Sequence, residues 1–138
     1  MRVLVLCTGN RYRSQMAQGW LRSLAPEWEV FSAGINPAGE VHPLAIAVMR
    51  EVGIDLADAY PKSVEEFIDD SWDFVITVCG NAEKTCPAFS GKVGKRKHMG
   101  FDDPDAFRGS EEQILQEFRR VRDEIGTRME LFVKSHEK

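Results

Sequence analysis

The 138-residue sequence predicts an α/β fold built on a parallel sheet. Two uninterrupted apolar runs, Val3-Leu4-Val5-Leu6 and Phe74-Val75-Ile76-Thr77-Val78, have the composition of strands covered on both faces. Each run leads into a cysteine, Cys7 or Cys79, which places both thiols at the carboxyl edge of the sheet, where open α/β folds bind ligands. Segments of helical period stand between the candidate strands.

Taken in order, the elements follow from pattern and punctuation. Met16, Ala17, Trp20, Leu21 and Leu24 recur at helical spacing, and Ala25-Pro26 closes that helix. Glu29 to Gly34 reads as a second strand and Asn36-Pro37-Ala38-Gly39 as a loop. Pro43 suits the first turn of a helix through Ile46, Val48, Met49 and Val52, with Gly53 ending it. His42, just before that helix, reads as a solvated loop residue. The acidic stretch Val64 to Asp70 is expected to form a further short helix. Lys92 to Met99 supplies a fourth strand, basic enough for a sheet edge. Ser110 and Gln113 form a capping box for a long closing helix marked by Ile114, Phe118, Val121, Ile125, Met129 and Phe132. Arg119, Arg120 and Arg122 are expected on its solvated face.

Composition sets the outer bounds. With 43% hydrophobic and 29% charged residues, the chain reads as one globular domain over residues 1–138. A net charge of −4 gives no general attraction for nucleic acid or for an anionic membrane. No apolar run approaches the ~20 residues of a membrane span, and the amino-terminal stretch is too short for a signal peptide, so a cytoplasmic location is expected. Three cysteines are an odd number for a disulfide framework and point to thiol chemistry.

That chemistry centres on Cys7-Thr8-Gly9-Asn10-Arg11-Tyr12-Arg13-Ser14. A strand, a tight loop and a helix start make an oxyanion site from inward backbone N–H groups. Thr8, Gly9, Asn10, Arg11, Tyr12 and Arg13 are the expected oxyanion-binding residues. Gly9 and Asn10 tolerate positive φ, and Arg13 offers a bidentate fork. Cys7 is the candidate nucleophile, its thiolate favoured by the helix start and the guanidinium groups, with Ser14 donating to the sulfur. The bland alternative is a buried, inert cysteine.

Cys79 and Cys86, seven positions apart, fit no common zinc spacing, so no metal site is expected and a dithiol is the better reading. On a continuous helix their Cα atoms would stand roughly 10 Å apart, too far to bridge, so a disulfide requires this segment to rearrange. In Gly100-Phe101-Asp102-Asp103-Pro104, Asp103 is placed to act as a general acid at the same edge, although Asp-Pro pairs also simply start turns.

These residues together resemble the thioredoxin-coupled arsenate reductases. The resemblance rests on Cys-Thr-Gly-Asn-x-x-Arg-Ser, Ser32-Ala33-Gly34, the Cys79/Cys86 pair and Gly100-Phe101-Asp102-Asp103-Pro104, and spans nearly the whole chain. It implies a low-molecular-weight phosphatase-like fold, a four-stranded parallel sheet flanked by helices on both faces. It also implies reduction of arsenate by Cys7, Cys79 and Cys86 in relay, with Arg13 and Asp103 assisting, thioredoxin as reductant, phosphate or sulfate as competing oxyanions, and no cofactor. Four residues depart from the family pattern: Tyr12 stands where many relatives carry a cysteine, Arg11 adds charge at the mouth, and Gln18 and Val64 replace acids that hold potassium in some relatives. Two other functions stay open on the residues alone. One is a phosphatase that hydrolyses phosphomonoesters through a Cys7 phosphoenzyme; the other is a non-catalytic oxyanion or redox sensor.

Overall fold

The computed structural model describes residues 1–136. Four strands, β1 (Arg2–Cys7), β2 (Glu29–Gly34), β3 (Trp72–Thr77) and β4 (Val93–His98), form one sheet in the order β2-β1-β3-β4, with every neighbouring pair parallel. The two apolar runs are thus the inner strands and the basic run is an edge. Register places Cys7 opposite Gly34 and Leu6 opposite Thr77, so the chain leaves β1 and β3 at the same level.

Helices α1 (Arg13–Leu24), α2 (Pro43–Glu51), α3 (Gly80–Thr85) and α4 (Glu111–Ser135) join and close the sheet. The capping box expected at Ser110 and Gln113 opens α4. His42 caps α2 by accepting from the Leu44 amide, and Gly53 follows that helix with φ 82°, the left-handed turn that ends it. Gly126 lets α4 lie close on α1, since a Cβ there would stand 2.7 Å from the Trp20 ring, and the Trp20 indole donates to the Arg122 carbonyl at 3.0 Å. Val3, Leu4, Val5 and Leu6 are fully buried and form the centre of the core with Met16, Leu21, Phe118, Ile125 and Met129.

Two expectations fail here for visible reasons. The segment from Val64 to Asp70 forms one 3₁₀ turn, Val64–Glu66, rather than a helix. Its later carbonyls are already taken: Phe67 accepts from the Trp72 indole at 3.0 Å and Ile68 from the Ser90 and Gly91 amides. Arg122 is buried rather than solvated, donating to the Val48 carbonyl at 3.0 Å and to Glu51 at 2.8 Å, which ties α4 to α2.

Candidate active site

Residues 8–12 turn the chain from β1 into α1 around Asn10, which is fully buried and adopts φ 51°. Its amide nitrogen donates to Ser14 Oγ at 2.8 Å and Ser32 Oγ at 2.9 Å, and its Oδ1 accepts from Gln15 Nε2 at 3.0 Å and the Lys62 amide at 2.9 Å. Every hydrogen-bonding site of that side chain is engaged, which is what holds a left-handed, non-glycine residue in place. Of the two residues expected to permit the turn, Asn10 is the one that adopts positive φ.

The loop's carbonyls face outward. Those of Cys7, Thr8, Gly9 and Arg11 accept from the amides of Ile35, Asn36, Ala38 and His42. Among the described residues the amides of Gly9, Asn10, Arg11 and Tyr12 have no acceptor in the protein, and the buried Arg13 Nε has none either. A curl of unpaired N–H groups beside a half-buried guanidinium is a receptor for an anion, because unsatisfied donors away from water are costly and an oxyanion satisfies several together. The other end of Arg13 is fixed, with Nη1 on the Phe101 carbonyl at 3.1 Å and Nη2 3.7 Å from Asp103 Oδ2.

Cys7 and Cys79 are both buried, both unoxidised, and each shifts the other's titration. Cys79 caps α3, its sulfur 3.4 Å from the Ala82 amide and 3.4 Å from Thr8 Oγ1. Thr8 Oγ1 in turn accepts from Asn81 Nδ2 at 2.8 Å, which leaves its hydroxyl proton for the sulfur. The Cys79 thiol is accordingly pulled down to about 4, first by the hydrogen bond from Cys7 and then by Thr8, the Ala82 amide and Arg13, against the cost of burial. Cys7 moves the opposite way, raised because it donates to Cys79 and is buried, although Arg13 and the Thr8 amide favour its thiolate. These surroundings favour the thiol at Cys7 and the thiolate at Cys79, where the sequence alone points to a Cys7 thiolate. Ser14 differs as well: its hydroxyl accepts from Asn10, and no bond to the Cys7 sulfur is present among the described contacts.

Cys86 is half-buried at the far end of α3, its sulfur accepting from Arg96 Nη1 at 3.3 Å, while the Arg96 guanidinium lies over the Phe89 ring. Asp103 sits at the mouth. Its Oδ1 accepts from the Tyr12 hydroxyl and from the Asp105 amide. Arg11, expected among the oxyanion-binding residues, has its amide in the loop's curl and its guanidinium turned to Asp105, at 3.4 Å, and His42 reaches the same carboxylate at 3.1 Å. No group of three His, Cys, Asp or Glu side chains among the described residues is placed to hold a metal ion.

Residues 2–138 match the family of low molecular weight phosphotyrosine protein phosphatases. The chain belongs to that family. Among curated relatives, an arsenate reductase of Bacillus subtilis is 45% identical over 134 residues, covering 96% of this chain and 95% of its own. A solved arsenate reductase in a phosphate-binding state aligns with TM-score 0.81 at 34% identity, over 99% of this chain and 98% of that one. A thioredoxin-dependent arsenate reductase of Corynebacterium glutamicum aligns with TM-score 0.58 at 30% identity, covering 94% of this chain and 62% of that one. The expected fold is thereby established. In this family member the mouth contacts of Tyr12, His42 and Asp105 were not foreseen. Their only sequence signal is an aromatic residue inside the loop and a second aspartate after Asp-Pro, neither of which specifies a partner. No helix among the described residues is long and apolar enough to cross a membrane.

Proposed function

We propose that this family member reduces arsenate to arsenite through Cys7, Cys79 and Cys86 and is returned to its dithiol state by thioredoxin. The observation that carries this reading is the pair of buried free thiols, Cys7 and Cys79, at adjacent strand ends below an anion loop with unpaired donors. A phosphomonoester hydrolase needs the first thiol only. A two-electron reduction needs a second thiol within reach of it.

Arsenate binds on the loop amides and Arg13, and Cys7 passes its proton to Cys79 and attacks arsenic. One arsenic-bound hydroxide takes the proton of Asp103 and departs as water, leaving a Cys7–arsenic(V) bond. Cys79 gives its proton to an arsenic-bound oxygen and attacks the Cys7 sulfur. The sulfur–arsenic bond breaks with its electron pair staying on arsenic, so arsenite leaves and a Cys7–Cys79 disulfide remains. Cys86 then attacks Cys79, freeing the Cys7 thiolate and forming a Cys79–Cys86 disulfide. This last step unwinds the six-residue α3, whose ends the two cysteines occupy. One arsenate and two thiols thus give one arsenite, one disulfide and one water, and the thioredoxin dithiol supplies the two electrons of the next turnover.

The test is arsenate-dependent NADPH oxidation with thioredoxin and its reductase, run beside Cys86→Ser. The parent is expected to turn over, and the variant to stop after one Cys7–Cys79 disulfide per chain. Unimpaired cycling by the variant refutes the relay. No turnover by either protein, with an aryl phosphate hydrolysed by both in the absence of reductant, moves the assignment to a phosphatase.

A further inference from the structure

Asp103 carries its two carboxyl oxygens in different surroundings. Oδ1 accepts both the Tyr12 hydroxyl and the Asp105 amide, the latter at 2.9 Å. Oδ2 has the Arg13 guanidinium 3.7 Å away and no hydrogen-bond donor within bonding distance among the described residues. An oxygen that already accepts two donors is poorly placed to hold a proton of its own, because its lone pairs are in use. The transferable proton belongs on Oδ2, the oxygen beside Arg13 and so beside an oxyanion held by Arg13.

We propose that Tyr12 is a positioning residue for the reaction, its hydroxyl occupying Asp103 Oδ1 so that the proton delivered to the departing hydroxide resides on Oδ2. The inference rests on the reductase reading above. Tyr12 is built for such a task. Its ring packs edge-on to His42 with centroids 5.8 Å apart, and tilted against the buried Phe118 at 6.0 Å. The Arg13 guanidinium lies 5.3 Å from the ring centre. With the ring held on these sides, the hydroxyl has a fixed direction. It also keeps its proton, since burial and then the Asp103 carboxylate push it above the usual phenol range, so it acts as a donor throughout the cycle. The Asp105 amide pins the same oxygen from the backbone, and the 3₁₀ turn Pro104–Ala106 holds that amide in place.

The experiment compares Tyr12→Phe, Asp103→Asn and the double variant with the parent protein. Each is assayed for steady-state arsenate reduction with thioredoxin and its reductase, and for arsenite and Cys7–Cys79 disulfide formed in a single turnover. Phenylalanine keeps the ring contacts and removes only the hydroxyl. The expected result is a fall of about tenfold in kcat for Tyr12→Phe, a fraction of what a general acid contributes, with KM for arsenate within about twofold. Alkylation of Cys7 by iodoacetamide should proceed at the parent rate. In the Asp103→Asn background, losing the hydroxyl should cost nothing further, a non-additivity that a merely structural role would not produce. A Tyr12→Phe kcat within about twofold of the parent overturns the proposal, as does an equal loss in both backgrounds. A Tyr12→Phe chain that loses its fold also overturns it, since the hydroxyl would then serve the fold. A parent that forms no disulfide on adding arsenate overturns the reductase reading and this inference together, whereas the other failures leave that reading standing.

Discussion

Gly34 on β2 lies directly against Thr8 of the anion loop: a Cβ at Gly34 would stand 2.7 Å from the Thr8 carbonyl oxygen and 3.0 Å from the Asn10 amide nitrogen. Both neighbours are backbone atoms: the Thr8 carbonyl is held by the Asn36 amide, and Asn10 is anchored through its side chain to Ser14, Ser32, Gln15 and Lys62, so neither can yield cheaply. Gly34→Ala must therefore shift the loop that presents the oxyanion donors. The expected outcome is a loss of about 2 kcal/mol of stability, typical of overpacking, with a larger relative loss of arsenate turnover. Urea unfolding run beside the thioredoxin-coupled assay checks both. Stability and activity at the parent level would mean that the loop accommodates the methyl group.

The Cys7–Cys79 pair makes a prediction whose sign differs between the two thiols. Cys79 falls to about 4 in the folded protein against an ordinary thiol value near 8.5, so its contribution to stability is complete above about pH 8.5 and disappears as pH falls through about 4. Cys7 is raised, so above its ordinary range it opposes folding. Deleting Cys79 removes the chief cause of that rise and leaves Arg13 and the Thr8 amide, which favour the Cys7 thiolate. Cys79→Ala should therefore speed alkylation of Cys7 at pH 7 and move the pH dependence of that rate downward. Labelling followed by mass spectrometry reads it directly, and a slower Cys7 in the variant would contradict the assigned coupling.

Much of this arrangement was legible in the sequence, and what was not has a common cause. Strands β1 and β3 were readable because buried parallel strands are apolar on both faces, and the turn at Asn10 because few residue types accept positive φ. Cys7 and Cys79 at one edge followed from strand order. What stayed hidden were pairings between side chains far apart in the chain. Nothing in the sequence of α4 says that Arg122 reaches the Val48 carbonyl, or that the Arg11 side chain is held by Asp105 while its amide stays in the loop. The influence on the thiol pair is hidden for the same reason. Thr8, Asn81 and Ala82 gather around Cys79, and only the folded chain shows that these donors converge on the second thiol rather than the first.

Arg122 offers a test of that buried pairing. Arg122→Met keeps most of the apolar stem but leaves the Val48 carbonyl without this donor and removes one of the two guanidinium partners of Glu51. An acceptor stripped of its partner costs about 1–3 kcal/mol, so a fall of that size in unfolding free energy is expected. Catalysis at a temperature well below the transition should be unaffected, because the residue lies between α2 and α4 rather than at the mouth. Glu51 is held below the usual carboxylate range by Arg119 first and Arg122 after it, so its ion-pair contribution is present above that range and fades on acidification. The variant should accordingly show a shallower loss of stability between neutral pH and pH 4.

Asp105 governs the charge presented to an incoming oxyanion. Its carboxylate holds Arg11 at 3.4 Å and His42 at 3.1 Å, and it is itself half-exposed at the entrance. Neutralising it removes a repulsive charge from the path of arsenate and releases a guanidinium at the mouth. For Asp105→Asn the consequence is electrostatic steering, so KM for arsenate should fall by about threefold at low salt while kcat changes little. Screening shortens such effects to roughly 3 Å near 1 M salt, so the difference from the parent should vanish as sodium chloride is raised. If the gain instead persisted at high salt, Arg11 would have become a direct ligand of the oxyanion, the role its position in the loop first suggests. If KM rose, the hold of Asp105 on Arg11 and His42 would be shaping the mouth rather than shielding it.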